Sequence, residues 1–261
     1  MLLGKTMVIS GVASGIGART AELALAQGAD VIGIDMKEPP QPSANFIKGD
    51  LSNPAGIEAV VRQLPQRFDA LLNVAGISGK IGAEPTLAIN FYGLRLFTEA
   101  LARRIREGGS VVNVASIAGY GWRANLDRAK ALVAETGFPD IKAVIARHNI
   151  PNEIGYPLSK ELLLLWTQKA AHERLFRDRN IRVNAVSPGP VETQILREFR
   201  SVLGDEKVDS DISRVGRAGT ASDIAPVILF LASDAARWIN GANIANDGGL
   251  EASINADVLG F

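Results

Sequence analysis

The sequence predicts a single α/β domain built on a parallel β-sheet. Three observations lead to this fold class: a length of 261 residues, a 47% share of hydrophobic residues, and the repeated order of apolar strand, small-residue turn and amphipathic helix. A chain of this length can bury a sizeable core and suits one α/β domain better than two. We therefore expect residues 1–261 to form one domain.

Charge and composition exclude several classes of function. The chain has 28 basic and 28 acidic residues, so its formal net charge is zero, and neither nucleic acid nor an anionic membrane is an expected partner. Without cysteine and with only His148 and His172, we expect no disulfide, thiolate chemistry or metal site. The N-terminus runs directly into a strand pattern and no apolar run could span a membrane. We expect a cytoplasmic protein.

The first predicted unit is a βαβ crossover, with a strand over 6–10, a helix over 16–27 and a second strand over 30–35. Glycines where a strand meets a helix N-terminus let the backbone approach a pyrophosphate and leave free N–H groups pointing at it. The turn therefore predicts a dinucleotide site. Its candidate contacts are Gly11, Ser14, Gly15, Ile16 and Gly17.

Asp35 ends the second predicted strand and bears on the choice of dinucleotide. A carboxylate at this position accepts hydrogen bonds from the ribose hydroxyls and repels a 2′-phosphate. Lys37 could partly offset that repulsion, but Ser14 in the glycine turn is not basic. The sequence therefore favours NAD over NADP.

The third predicted strand, over 45–51, ends in Asp50 and Leu51. Asp50 could contact the adenine, or it could be an N-terminal signal for the helix that starts at Pro54. Both interpretations stay open. The fourth predicted strand, over 69–76, ends in small residues that leave room for a cofactor. Its candidate contacts are Asn73, Ala75 and Gly76.

A long helix is predicted from residue 87 to about residue 106, with Asn90 among its apolar residues. An amide this far into a helix either caps a local distortion or organises buried water, and both would be useful near a proton path. A fifth strand over 110–116 delivers Ser116 at its carboxyl end, where open parallel sheets bind ligands.

Tyr156 and Lys160 lie four residues apart, so on a helix they share one face. A free phenol has a pKa of about 10, and its use as a base near neutral pH needs ~4 kcal/mol of stabilisation of the phenolate. A cation ~4 Å away at an effective dielectric of ~20 supplies about that much. We expect Lys160 to lower the pKa of Tyr156. Because this spacing is common in ordinary helices, the assignment depends on the other motifs.

These motifs, in this order, resemble the NAD-dependent short-chain dehydrogenase/reductase family along nearly the whole chain. They are the glycine turn, Asn73-Val-Ala-Gly76, Asn90, Ser116, Tyr156 with Lys160, and Ser187-Pro-Gly-Pro-Val-Glu-Thr193. The resemblance implies a Rossmann-type doubly wound sheet of seven parallel strands with helices on both faces. It also implies a small-molecule alcohol or carbonyl substrate and a homodimer or homotetramer built on the helices after Asn90 and Tyr156.

The resemblance also assigns roles to these residues. Ser116 would position the carbonyl or alcohol oxygen, and Tyr156 would exchange the proton. Lys160 would lower the pKa of the tyrosine and hold the nicotinamide ribose, while Asn90 would support a water relay. The remaining cofactor contacts would be Pro188, Gly189, Val191 and Thr193, of which the last two would hold the nicotinamide.

Two departures from the family pattern stand out. Val74 replaces the second Asn of the usual Asn-Asn-Ala-Gly element, and Ser116 and Tyr156 are forty residues apart, further than in most members. Residues 119–155 thus contain an insertion, predicted as two short amphipathic helices separated by Gly137-Phe-Pro139. A similar insertion marks the branch of the 3α-hydroxysteroid dehydrogenase/carbonyl reductases and coniferyl alcohol dehydrogenase. The coniferyl alcohol enzyme is the nearer of the two.

The rest of the chain supplies a sixth strand over 181–187, a helix over 221–232 and a seventh strand over 242–247. Between them, residues 190–219 are either a mobile lid over the substrate or a solvated surface helix. We expect the insertion to form a second wall of the cleft, with Trp122 and Phe138 facing an aromatic or fused-ring substrate. The alternative is that the insertion packs on the domain and leaves the cleft unchanged.

The leading hypothesis is an NAD-dependent oxidoreductase that interconverts a bulky alcohol, such as a coniferyl-type alcohol, and its carbonyl. The alternatives are a hydroxysteroid dehydrogenase/carbonyl reductase, an NADPH-linked reductase of carrier-bound ketones, and an NAD-binding sensor without turnover. Asp35 opposes the NADPH-linked reductase. The presence of Ser116, Tyr156 and Lys160 together opposes the sensor, since a binding module has no need of all three together.

Overall fold

The structure is a computed structural model and describes residues 2–39 and 45–261. Its strands are β1 (Thr6–Ser10), β2 (Asp30–Asp35), β3 (Phe46–Lys48), β4 (Phe68–Asn73), β5 (Ile105–Val114), β6 (Arg182–Pro188) and β7 (Asn243–Asn246). They form one parallel sheet in the order β3-β2-β1-β4-β5-β6-β7. The strand order reverses between β1 and β4, where open α/β sheets bind their ligands. The predicted doubly wound parallel sheet is confirmed.

Helices cover both faces of the sheet. They are α1 (Gly15–Ala26), α2 (Pro54–Gln63), α3 (Ala83–Leu87), α4 (Leu94–Leu101), α5 (Leu126–Ala134), α6 (Ile141–Arg147), α7 (Gly155–His172), α8 (Arg174–Arg177), α9 (Gln194–Leu203), α10 (Asp205–Val215), α11 (Ala221–Ala232) and α12 (Leu250–Leu259). The apolar residues of α1 and α11 form a core on one face, and those of α2, α4 and α7 form a larger core on the other. Among the described residues, no helix is long and apolar enough to cross a membrane.

Local sequence explains where several elements begin. β1 carries the consecutive buried residues Met7, Val8 and Ile9, because a central parallel strand is covered on both faces. α2 begins at Pro54, and the N-cap Asn53 accepts a hydrogen bond from Gly56 N at 2.9 Å. Both observations agree with the sequence pattern.

The prediction of one long helix over 87–106 is wrong, because the helix is interrupted and ends earlier. Residues Ala88–Gly93 form a π-helical turn between α3 and α4, and α4 stops at Leu101. The chain then enters β5, where buried Ile105 pairs with Phe68 across an irregularity in register. Gly108, with φ of +74°, adopts a conformation that a helix does not contain. Pairing with β4 therefore prevails over the helical pattern.

The insertion folds as predicted, into two short helices, of which α5 packs on α7 and α6 packs on α3. The buried guanidinium of Arg95 donates to the carbonyl oxygens of Val133 at 3.1 Å and Gly137 at 2.8 Å. The ring centroid of Phe138 lies 6.5 Å from that of Tyr92. These contacts bury the apolar residues of α5 and α6 against the rest of the domain.

A buried polar network joins the carboxyl ends of β4 and β5 to the helices above them. Asn73 Nδ2 donates to Thr98 Oγ1 and to Asn113 Oδ1, both at 2.9 Å, and Asn113 Nδ2 donates to Thr167 Oγ1 at 3.0 Å. None of these four side chains is more than 1% exposed. Because each buried polar group has a partner, the network fixes α4 and α7 relative to the sheet.

Replacing Asn113 with Ala should lower the free energy of unfolding by about 2–4 kcal/mol, since Asn73 loses an acceptor and Thr167 a donor in a site that water does not reach. Chemical denaturation monitored by circular dichroism measures this. The exposed Asn45 is the control, and Asn45→Ala should change stability by less than about 0.5 kcal/mol. Equal effects of the two substitutions would contradict the assigned role of the network.

Candidate active site

A cleft of about 500 Å³ runs along the carboxyl edge of the sheet, where the strand order reverses. Sixteen of the predicted cofactor contacts line it: Gly11, Ser14, Gly15, Ile16, Gly17, Asp35, Asp50, Leu51, Ala75, Gly76, Tyr156, Lys160, Pro188, Gly189, Val191 and Thr193. Ser116 lines it as well. The described residues contain no group of three or more His, Asp or Glu side chains placed to hold a metal ion.

The glycine turn closes against β4 so tightly that side chains have no room. A Cβ on Gly11, whose φ is +84°, would lie 2.8 Å from Ala75 Cα, and a Cβ on Gly17 would lie 2.0 Å from the carbonyl oxygen of Gly11. Ser14 is the N-cap of α1 but makes no capping hydrogen bond with its side chain. The N–H groups of the first turn thus remain available to an anion. This geometry fits a dinucleotide pyrophosphate.

The carboxylate of Asp35 is held at the edge of the cleft by two backbone N–H groups. Its Oδ2 accepts from Ala13 N and its Oδ1 from Lys37 N, both at 3.0 Å. The first bond links the end of β2 to the glycine turn, so the carboxylate faces the same cleft as the pyrophosphate site. This is the place in the doubly wound fold where a ribose hydroxyl donates to an acidic side chain.

Asp50 lines the cleft but also serves the start of α2. Its Oδ1 accepts from Ser52 N at 2.8 Å, and its Oδ2 accepts from the side chain of Asn53, the N-cap, at 3.0 Å. Of the two open interpretations, the helix-start role has direct hydrogen bonds. Contact with the adenine stays a prediction.

Three side chains of the predicted catalytic set meet at one end of the cleft. The Ser116 hydroxyl forms a hydrogen bond with the phenol of Tyr156. Lys160 Nζ lies 5.6 Å from the centroid of the Tyr156 ring and donates to the carbonyl oxygen of Val114 at 2.9 Å. Ser116 follows β5 while Tyr156 and Lys160 belong to α7, so the packing of α7 on β5 brings the three together.

Burial dominates the acid–base properties of this group. It raises the pKa of Tyr156 to about 12, and the hydrogen bond with Ser116 offsets only part of that rise. Burial also lowers the pKa of Lys160 to about 8. The expected lowering of the tyrosine pKa by Lys160 is therefore not found in this structure. The physical reason is that the free energy needed to remove the phenolate from water exceeds the stabilisation by the hydrogen bond with Ser116. The ammonium group of Lys160 is also turned toward Val114.

Asn90 supports the site from behind the cleft and does not line it. It lies in the π-helical turn, fully buried. Its Nδ2 donates to the carbonyl oxygen of Ile77 at 2.9 Å and to Ser159 Oγ at 3.3 Å, and its Oδ1 accepts from Ile77 N at 2.9 Å. The amide thus stabilises a local distortion, the first of the two expected roles. Its part in a water relay stays a prediction.

The side chain of Asn73, a predicted cofactor contact, does not face the cleft. Its side chain is 1% exposed and donates to Thr98 and Asn113 within the network described above, so the amide is not available to the cleft. Contact of the Asn73 backbone with the cofactor stays a prediction.

Residues 190–219 form α9 and α10, and α9 lies across the cleft. A Cβ on Gly15 would lie 3.3 Å from the methyl group of Thr193. Further along, Ser78 Oγ donates to Glu198 Oε2, and the Phe199 ring centroid lies 4.7 Å from that of Tyr156. This favours the predicted lid over a solvated surface helix, because α9 contacts both sides of the cleft. Mobility of the lid stays a prediction.

The prediction that the insertion builds a wall of the cleft is wrong. Residues 119–155 are all described, and none of them lines it. Phe138 packs on Tyr92, while Trp122 packs against the core with the guanidinium of Arg123 4.3 Å from its ring centroid. The apolar residues of α5 and α6 are instead buried against the rest of the domain, so the alternative, an insertion that leaves the cleft unchanged, holds.

Four site residues have no signal in the sequence. Ser10 Oγ accepts from Val74 N at 3.1 Å and Ala75 N at 3.2 Å, which fixes the end of β4. Ser78, Glu198 and Phe199 complete the catalytic end of the cleft from loop and lid. Ser78 and Glu198 are 120 residues apart, and nothing in the spacing of either predicts that they meet.

Comparisons with known proteins agree with this geometry. A family model described as enoyl-(acyl carrier protein) reductase matches residues 11–134 and 140–251. Coniferyl-alcohol dehydrogenase of Pseudomonas sp. (strain HR199) is 41% identical over 249 residues, which cover 95% of this chain and 97% of that protein.

Two solved structures extend the comparison. The 3-alpha-hydroxysteroid dehydrogenase from Pseudomonas sp. B-0831 complexed with NADH has a TM-score of 0.82 and 29% identity, over 96% of this chain and 98% of that chain. A short chain dehydrogenase from Burkholderia cenocepacia J2315 in complex with NADP has a TM-score of 0.72 and 25% identity, over 96% and 99% respectively. These relatives bind one or the other nicotinamide dinucleotide.

Proposed function

Because the chain belongs to the short-chain dehydrogenase/reductase family of oxidoreductases, we propose that it interconverts an alcohol and its carbonyl with NAD as the hydride carrier. The observation that carries this proposal is the Ser116–Tyr156 hydrogen bond at one end of a cleft whose other residues fit a dinucleotide. The bound nicotinamide supplies the hydride chemistry. The protein supplies orientation and the proton.

The chain's own residues have distinct tasks in this reaction. Ser116 Oγ orients the substrate oxygen by a hydrogen bond, and Tyr156 Oη gives its proton to a carbonyl or takes one from an alcohol. Lys160 Nζ holds the ribose side of the cofactor site, next to Val114. Phe199 covers Tyr156 and keeps water from the reacting atoms.

The proposed substrate is a bulky aromatic alcohol of the coniferyl type. Its support is the 41% identity to coniferyl-alcohol dehydrogenase along nearly the whole chain, together with the apolar lid residues Ile195, Leu196 and Phe199 at the catalytic end of the cleft. Hydroxysteroid dehydrogenase/carbonyl reductase activity is the second candidate, since the 3-alpha-hydroxysteroid dehydrogenase structure has a similar fold over 96% of this chain.

We also propose that the chain forms a homodimer or homotetramer in the cytoplasm. The insertion packs on α7 through α5 and accepts hydrogen bonds from Arg95 of α4, so association through the α4 and α7 faces would have to accommodate α5 and α6. A dimer through another surface is therefore the favoured arrangement.

Tyr156→Phe should reduce turnover of cinnamyl-type alcohols by about 10²–10⁴-fold, because it removes the proton donor and acceptor while keeping the ring. NADH affinity, measured by fluorescence, should change less than about tenfold, or 1.4 kcal/mol. Lys160→Met should impair both turnover and binding. The buried Tyr92, which does not line the cleft, supplies the matched control: Tyr92→Phe should keep its activity. Substantial activity in Tyr156→Phe would contradict the assignment of Tyr156 as the proton donor and acceptor.

The pKa directions predict opposite pH responses for the two reaction directions. Below its raised pKa of about 12, Tyr156 stays protonated, so a carbonyl finds its proton donor across the neutral range. Alcohol oxidation needs the phenolate, whose fraction grows as pH rises. The oxidation rate at saturating cofactor should therefore increase from neutral to alkaline pH while the reduction rate does not. An oxidation rate that falls over this range in folded protein would contradict the assignment.

NAD should be preferred over NADP, because the carboxylate of Asp35 accepts from ribose hydroxyls and repels a 2′-phosphate. Steady-state kcat/KM with each cofactor is the measurement. Asp35→Asn should narrow the preference by at least about tenfold, or 1.4 kcal/mol, whereas Asp30→Asn, at the opposite end of β2, should leave it unchanged. Equal or greater efficiency with NADP in the unaltered enzyme would overturn this interpretation and turn attention to Lys37.

A further inference from the structure

The catalytic end of the cleft contains one acidic side chain, Glu198 of α9. The other acidic residues that line the cleft, Asp35, Glu38 and Asp50, follow β2 and β3 at the opposite, adenosine end of the proposed cofactor site. Glu198 is half-buried and lies one residue before Phe199, whose ring contacts Tyr156. The proposed reaction gives this carboxylate no task.

Both carboxylate oxygens of Glu198 accept a hydrogen bond. Its Oε2 accepts from Ser78 Oγ and its Oε1 accepts from Gln194 Nε2 at 3.4 Å. Ser78 is 4% exposed, and a Cβ on the following residue, Gly79, would lie 2.9 Å from Tyr156 Cβ. The loop that holds the carboxylate thus packs directly on the catalytic tyrosine.

The side chains of Arg197, Arg200 and Lys160 do not pair with the carboxylate of Glu198. Arg197 is exposed and does not line the cleft. The guanidinium of Arg200 forms ion pairs with Asp205 at 3.1 Å and Asp209 at 2.7 Å, and Lys160 donates to Val114. Among the described residues, Glu198 forms no ion pair, so its negative charge acts on whatever occupies the cleft.

We infer that Glu198 is a specificity-determining residue that makes this cleft select neutral alcohols against substrates carrying a carboxylate. A second negative charge brought beside Tyr156 would lose part of its water and meet the half-buried Glu198 at like charge. Specificity then arises from repulsion of the wrong substrate as much as from attraction of the right one. The inference deepens the proposed function and rests on it.

The test compares 3-phenyllactate, whose carboxylate is bonded to the carbinol carbon, with its methyl ester, using unaltered enzyme, Glu198→Gln and Glu206→Gln. Glutamine keeps the size of the side chain and a partner for Ser78, but removes the charge. Glu206 is an exposed residue of α10 outside the cleft, so its variant controls for loss of one negative charge. The measured quantity is the ratio of kcat/KM for ester over carboxylate.

Glu198→Gln should reduce this ratio by at least about tenfold, which corresponds to 1.4 kcal/mol, and Glu206→Gln should leave it unchanged. Differences in intrinsic reactivity between the two substrates cancel in the comparison of variants. An unchanged ratio in Glu198→Gln overturns the inference while turnover of the ester upholds the proposed function. Absence of turnover of cinnamyl alcohol and of the ester with both dinucleotides overturns the proposed function and the inference with it.

A second measurement needs no variant and applies if Glu198→Gln fails to fold. In the unaltered enzyme, added salt screens repulsion between charges that water can reach, because the Debye length falls from about 10 Å at 0.1 M to about 3 Å at 1 M ionic strength. The ester-to-carboxylate ratio should therefore decrease as salt increases. A ratio independent of salt, with cinnamyl alcohol turnover as the reference for salt effects on the enzyme itself, overturns the inference.

Discussion

The packing of α7 on the carboxyl end of β5 is the constraint on which the catalytic cleft depends. Asn113 at the end of β5 donates to Thr167 at 3.0 Å, and Lys160 donates to Val114 at 2.9 Å. A Cβ on Gly119 would lie 2.8 Å from the carbonyl carbon of Lys160, so the chain after Ser116 can approach α7 only without a side chain there. These contacts set the distance between Ser116 and Tyr156, and a small shift of α7 would separate them.

The same packing that positions the catalytic group also determines its charge state. Burial raises the pKa of Tyr156 to about 12 and lowers that of Lys160 to about 8, so both groups move toward their neutral forms, as desolvation requires. A neutral phenol is suited to giving a proton to a carbonyl. The alcohol-oxidising direction then depends on whatever stabilises the phenolate when substrate and cofactor fill the cleft, which is where preorganised polar groups act most strongly.

The insertion over 119–155 and the lid over 190–219 contact different parts of the domain. The insertion packs on the domain, where it contacts Arg95 and Tyr92, and does not line the cleft. The lid crosses the cleft and brings Glu198 and Phe199 beside Tyr156. The proposed substrate selection therefore depends on the lid, whereas the insertion contributes packing on α7 and α3.

The sequence by itself determined the parallel sheet, the glycine turn, the acidic end of β2, and the residues Ser116, Tyr156 and Lys160, because each depends on local spacing and residue type. Only the tertiary structure decided that Asn73 turns into a buried network, that the insertion misses the cleft, that the chain leaves helix at Leu101 for β5, and that Glu198 reaches Ser78. These outcomes depend on which distant surfaces compete for the same apolar or polar partner. That competition is settled by packing in three dimensions, which the spacing of residues along a chain does not encode.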